Sequence, residues 1–220
     1  MLNFKKIKIF NFKSLRLKNF PLVWGFFLLN PNLLPENLKS GDVLLLSLNC
    51  YECRMIESET NSAYSHSGVV IRDEKNNLQI AQALGEVHLT TLQNFARNIT
   101  AGTEVSVFRP QKNIFQDNPQ NILRTFRTDF AGASFDPDFL WTNNDIFGNE
   151  TYYCAEFVAK FINRFLSQPI LPRPMSFAKN KDYWQKHFGD HPPPEGELGV
   201  SPVDFSTTEV LEFVGTVRVH

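Results

Sequence analysis

The stretch from Glu150 to Leu166 constrains this chain most, because it sets a single cysteine, Cys154, where a polar segment turns into an amphipathic helix. From Cys154 onward apolar residues recur at Phe157, Val158, Phe161, Ile162 and Phe165, the spacing of one helical face. Glu156 and Lys160 stand four apart on the other side, a pair suited to a solvated face. Cys154 falls in the first turn, where unpaired backbone N–H groups favour a thiolate. They can bring its titration down from about 8.5 toward neutrality. The competing reading is a small apolar residue on a buried face, the usual fate of a free cysteine.

Upstream residues weigh against that competing reading. Ser40-Gly-Asp-Val-Leu-Leu-Leu-Ser47 and Ala63-Tyr-Ser-His-Ser-Gly-Val-Val-Ile71 each run from turn-type residues into β-rich sequence, so both predict strands. His66 opens the second, and Gly68 and Val70 share its face by the period of two. The turn-rich Asp73–Asn77 leads to a third strand, Leu78–Ala83, which predicts a hairpin with Gln82 near His66. Covalent catalysis needs a nucleophile, a base and a group that orients the base. Cys154, His66 and Gln82 supply those three chemistries. Tyr64 and Tyr153, each adjacent to one of them, are candidates for a substrate or oxyanion contact, with packing the alternative for Tyr64.

The order Leu38-Lys-Ser-Gly41-Asp42, Ser65-His66-Ser67-Gly68-Val69-Val70, Gln82 and Tyr153-Cys154-Ala155-Glu156-Phe157-Val158 resembles the YiiX-like proteins. These are the circularly permuted branch of the NlpC-type, papain-like cysteine hydrolases, and lecithin retinol acyltransferase is a more distant relative. Phe135-Asp136 resembles that family's Tyr-Asp before the nucleophile segment, and Ser201-Pro-Val-Asp-Phe205 its closing Ser-Pro-x-Asp-Leu. The resemblance runs from about Leu38 to Phe213. It implies an α+β, papain-like fold: an antiparallel sheet or half-barrel packed against the helix that carries the nucleophile. It also implies hydrolysis of an amide, in a cell-wall peptide or a lipid or acyl amide, through a Cys-His-Gln site and an acyl-enzyme with no cofactor or metal. Two departures stand out: Gln82 is neutral where an acid is frequent, and Ala155 replaces a serine. A membrane-associated thiol acyltransferase or lipid-handling protein, and a non-catalytic binding protein on the same fold, are the alternatives.

At 220 residues the chain fits one domain, or one domain and an arm, and its formal net charge of -1 shows no nucleic-acid footprint. The predicted division is a basic, apolar segment over residues 1–36 and a catalytic domain over residues 37–220. Residues 1–35 hold no acid but Lys5, Lys6, Lys8, Lys13, Arg16 and Lys18, followed by the apolar run Phe20–Leu29. That pattern suits a signal-like segment or peripheral membrane contact through residues 1–30, and so a cell-envelope or membrane-associated location, with an ordinary packed arm the alternative. Cys50 and Cys53 read as structural cysteines of a short turn or helix, or as a reversible disulfide; no further ligands at zinc spacing accompany them. The 21 phenylalanines are either compositional or line an apolar site. Glu104–Arg109 predicts a strand, and Asp117 or Asn118 the cap of a helix with Pro119 at its first position, burying Ile122, Leu123, Phe126 and Phe130. The Pro-rich stretch over about 172–206 predicts a cover loop, and Val210–Val219 a strand pair or one bent strand. His88, His187, His191 and His220 read as surface or loop residues.

Overall fold

The computed structural model describes residues 32–111 and 119–219. The basic N-terminal run up to residue 31, and the helix cap expected at Asp117 or Asn118, lie outside the described residues. Six strands form one antiparallel sheet: β1 (Val43–Leu46), β2 (His66–Arg72), β3 (Leu78–Leu84), β4 (Glu86–Thr90), β5 (Val105–Pro110) and β8 (Leu211–Val217). Their order is β4-β3-β2-β1-β5-β8. The expected β2–β3 hairpin is present, with Val69 opposite Ala81. Both faces of the sheet are covered, which is why β1 and β2 read as continuous apolar runs. One face buries Val43, Leu45, Val69, Ile71, Ala81 and Ala83; the other buries Leu44, Leu46, Val70, Ile80, Val105 and Val107.

On the first face lie α3 (Pro119–Asp129) and α4 (Cys154–Asn163). Phe126 of α3 and Phe130, just after it, meet Phe157 and Phe161 of α4 edge to face, with centroids 5.6 to 6.3 Å apart. On the second face lies the short α2 (Leu92–Phe95), which buries Leu92 and Phe95. A helix α1 (Tyr51–Thr60) joins β1 to β2, and Cys50 and Cys53 form a disulfide across its first turn. Of the two readings of this pair, the structure contains the disulfide. Leu38-x-x-Gly-Asp is a fold motif. Gly41 takes a φ of 87°, and Asp42 is fully buried, paired with Arg109 of β5 through bonds of 2.7 Å and accepting from the Lys39 N–H.

Two expectations are corrected. The stretch over 172–206 is not a structureless loop: it contains β6 (Arg173–Pro174), α5 (Lys181–Phe188), β7 (Leu198–Gly199) and the start of α6 (Asp204–Thr207). Trp184 anchors it, fully buried and donating to Glu59 of α1 at 2.9 Å, a long-range contact invisible to local composition. Of the two readings of the C-terminal stretch, the structure has one strand, β8, with a register shift opposite Val107 and Phe108.

The second correction concerns Glu156, which is 0% exposed and not on a solvated face. Its carboxyl accepts from the Tyr153 N–H at 3.3 Å and from Lys160 at 2.8 Å, while Lys160 also reaches Glu150 and the Trp141 carbonyl. Burial pushes Glu156 up to about 8 against the pull of Lys160, so the group is held by its bonds in either charge state. Glu156→Ala leaves the helix-start Tyr153 N–H without its partner and takes one of three partners from Lys160, which keeps Glu150 and the Trp141 carbonyl. It is expected to lower unfolding free energy by roughly 1–3 kcal/mol, the cost of leaving a buried donor unsatisfied. Glu156→Gln, which keeps shape and acceptor, should cost clearly less in the same urea titration; equal costs would contradict this role.

Candidate active site

The site assembles where β2 begins. His66 opens the strand, and Gln82 lies diagonally across the ladder on the same face, within reach of a long side chain. Gly68 makes that face usable. A β-carbon there would stand 2.7 Å from the Phe95 ring and 2.8 Å from Ile80, so only glycine lets Phe95 pack beside the imidazole, at 5.4 Å between centroids. His66 and Gln82 are each 4% exposed, and His66 Nε2 lies 2.8 Å from Gln82 Oε1. An amide oxygen only accepts, so Nε2 carries the hydrogen and Nδ1 keeps its lone pair. Burial lowers the His66 pKa to about 4, against the opposing pull of the Gln82 bond and with a smaller contribution from His88. The ring is neutral at neutral pH.

Cys154 is the first residue of α4, after Tyr153 in extended conformation. Its thiol approaches β2 at Ser67, on the other face of the strand from His66. The Ser67 N–H and hydroxyl and the Ala155 N–H favour its ionisation, but burial dominates and pushes the pKa up to about 11. Ser67 Oγ is buried without a hydrogen bond of normal geometry, so it acts on the sulfur as a nearby dipole. The expected near-neutral thiol is thereby corrected: the helix-start effect is present, and desolvation exceeds it. The structure thus joins His66 to Gln82 directly and brings Cys154 to the adjacent residue of the same strand.

Cys154 also forms part of the wall of a cavity of about 480 Å³. Ser65 and Tyr153 stand beside it, and Phe139, Met175, Phe177, Trp184 and Val200 make the wall largely apolar. The stretch over 172–206 supplies much of that wall, and Ser201 caps the turn into α6 by bonding Asp204 through both N–H and Oγ. Asp136 is fully buried and accepts from the Asp138 and Leu140 N–H groups and Asn143, which shapes the loop carrying Phe139. Tyr153 Oη accepts from the Val200 N–H at 2.8 Å and points to Met175, tying the helix start to the cavity wall. Tyr64 is turned elsewhere: its hydroxyl donates to Ser106 and its ring packs edge-on to Phe108. The packing alternative describes it.

Sequence reading passed over His88, whose Nε2 lies 3.2 Å from Gln82 Nε2. The signal was present in the alternation along β4, a strand that was not anticipated. The aromatic wall, by contrast, is drawn from segments far apart in the chain and has no local signature.

The sequence model of a family described as permuted papain-like amidase enzymes, YaeF/YiiX, C92 family, matches residues 37–215. The chain belongs to this family. The uncharacterized protein YiiX of Escherichia coli strain K12 is 25% identical over 175 residues, covering 74% of this chain and 79% of YiiX. A crystal structure of metalloprotein YiiX from Escherichia coli O157:H7 superposes with a TM-score of 0.70 at 21% identity, covering 81% of this chain and 97% of that one. Membership of the C92 family makes the chain a cysteine-hydrolase relative at the level of reaction class, and the permuted papain-like fold is common to both.

Two pH responses follow. In the unfolded chain His66 binds a proton near the ordinary 6.5, and in the fold only near about 4. Its contribution to stability is therefore present above pH 6.5 and lost as pH falls through about 4. Between pH 7 and 4.5 the urea midpoint should fall more for the parent protein than for His66→Gln; equal falls would contradict the burial argument. Alkylation of Cys154 by iodoacetamide should be slower at pH 7 than that of a free thiol and should still be climbing toward pH 11. A midpoint below about 8.5 would show the thiol to be stabilised as an anion.

Proposed function

We propose that this protein is a cysteine amidase that cleaves an amide carrying an apolar acyl group. The observation that carries the reading is that Cys154, the free cysteine at the start of α4, forms part of the wall of the apolar cavity. An acyl chain seated between Phe139, Phe177 and Trp184 would present its carbonyl to the thiol. A polar cell-wall peptide would find few partners on such a wall. The basic, apolar residues 1–30 suit a substrate drawn from a membrane surface.

The reaction starts from a neutral thiol and a neutral imidazole. As sulfur bonds to the carbonyl carbon, its proton passes around the start of β2 to His66 Nδ1, on the opposite face of the strand from the resting thiol, and Gln82 holds the ring by Nε2. The N–H groups at the start of α4 meet the developing oxyanion. The imidazolium, destabilised by burial, readily gives its proton to the departing amine. His66 then activates a water that releases the acid and restores the thiol. Among the described residues no group of three or more His, Cys, Asp or Glu is placed to hold a metal ion.

A second reading, a binding protein on the same fold, draws on one observation: the bonds that favour the Cys154 thiolate come from Ser67 and Ala155, not from the imidazole. Turnover separates the two. Over a series of N-acyl amides, kcat/KM should rise with chain length by up to about fourfold per methylene, the equivalent of ~0.8 kcal/mol. Cys154→Ala should abolish cleavage while binding of the acyl chain persists. Binding without cleavage in the parent protein would establish the second reading, and faster cleavage of a cell-wall peptide would overturn the apolar assignment.

A further inference from the structure

The hydrogen-bond chain does not stop at Gln82. Gln82 and His88 are direct cross-strand partners on β3 and β4, and beyond their contact His88 Nδ1 lies 2.9 Å from the Glu86 carbonyl oxygen. A carbonyl only accepts, so His88 carries its hydrogen on Nδ1. Nε2 of the neutral ring is then an acceptor, and the Gln82 amide nitrogen donates to it. That donation turns Gln82 Oε1 toward His66, whose Nε2 must donate, and Nδ1 of His66 is left bare. While both rings are neutral, this is the one assignment of hydrogens that satisfies every contact in the chain.

We infer that His88 is a positioning residue: it sets the orientation of the Gln82 amide and, through it, the tautomer of His66. The consequence for rate rests on the catalytic reading above; the orienting role rests on geometry alone. Charging His88 reverses the whole chain. Its Nε2 then donates, so Gln82 turns its oxygen to His88 and its nitrogen to His66. Nε2 of His66 must now accept, its hydrogen moves to Nδ1, and the lone pair that would take the thiol proton is occupied. The other groups facing this end of the sheet leave His88 as the switch. Glu86 is exposed on the same strand, His66 is the group being set, and neither β3 nor α2 carries a charged side chain. The bridge at Ser134 brings none between Ala131 and Phe135. An edge strand with a half-buried histidine gives solvent protons access to an otherwise closed pair.

Two-bond proton–nitrogen spectra of the imidazoles in the full chain read each tautomer without any substrate. In the parent protein at neutral pH the His66 hydrogen should sit on Nε2, and it should move to Nδ1 as the His88 signals in the same spectrum report its charging. In His88→Leu the His66 tautomer should lose that pH response. kcat should fall by about tenfold or more with KM little changed. His88→Gln, which supplies an acceptor that does not titrate, should restore the rate and remove its acid limb. A His66 tautomer that ignores the charging of His88, or a His88→Leu variant with the parent's tautomer and pH profile, would overturn the inference. If no variant, parent included, turns over substrate, the catalytic reading fails while the spectra still decide the role of His88.

Discussion

Helix α4 is enclosed by the sheet on one side and by α3 and the aromatic wall on the others, and the remaining features of the site follow from that enclosure. A helix buried on nearly every side must satisfy its own polar groups from within. Glu156 does this at the first turn by bonding the Tyr153 N–H and Lys160. Tyr153 extends the anchoring to Val200, so the helix start, the cavity wall and the closing Ser201–Asp204 turn are one mechanical unit. Cys154 has no freedom of placement within it. The same enclosure removes water from the thiol, which is why its pKa rises even at a helix N-terminus.

The proposed nucleophile and base, Cys154 and His66, are neutral, not ionic. Desolvation raises the acid and lowers the base, so Cys154 and His66 diverge instead of exchanging a proton at rest. A neutral amide as the third group is consistent with such a pair. Gln82 can fix a tautomer without stabilising an imidazolium, whereas a carboxylate in its place would favour the charged ring. On the proposed reading, proton transfer belongs to the step in which the sulfur attacks, with the apolar acyl group completing the dry environment in which the oxyanion is held.

Much of this was legible from short-range pattern. The period of two along Ser65–Val70 and Leu78–Ala83, joined by a turn, was enough to place His66 beside Gln82, and the 3.6-residue period of Phe157, Phe161 and Ile162 was enough to seat α4. Motif glycines had physical causes that sequence alone does not reveal, Gly68 clearing space for Phe95 being the clearest. What was misread depends on tertiary enclosure. An i,i+4 Glu156–Lys160 pair looks the same on a wet face as in a core, and the helix-start argument for a low thiol pKa contains no term for burial. The cover segment looked like a loop because its stability comes from Trp184 reaching Glu59, over a hundred residues away in sequence.

The central claim, that Cys154 carries the acyl group during turnover with His66 as its base, is tested most directly by trapping the intermediate. Acid quenching during turnover of an N-acyl amide, followed by peptide mass spectrometry, should find the acyl mass on the peptide containing Cys154. The adduct should be absent or much slower to form in His66→Ala. Product formation with no adduct on Cys154, or an adduct that accumulates equally fast without His66, would contradict the account.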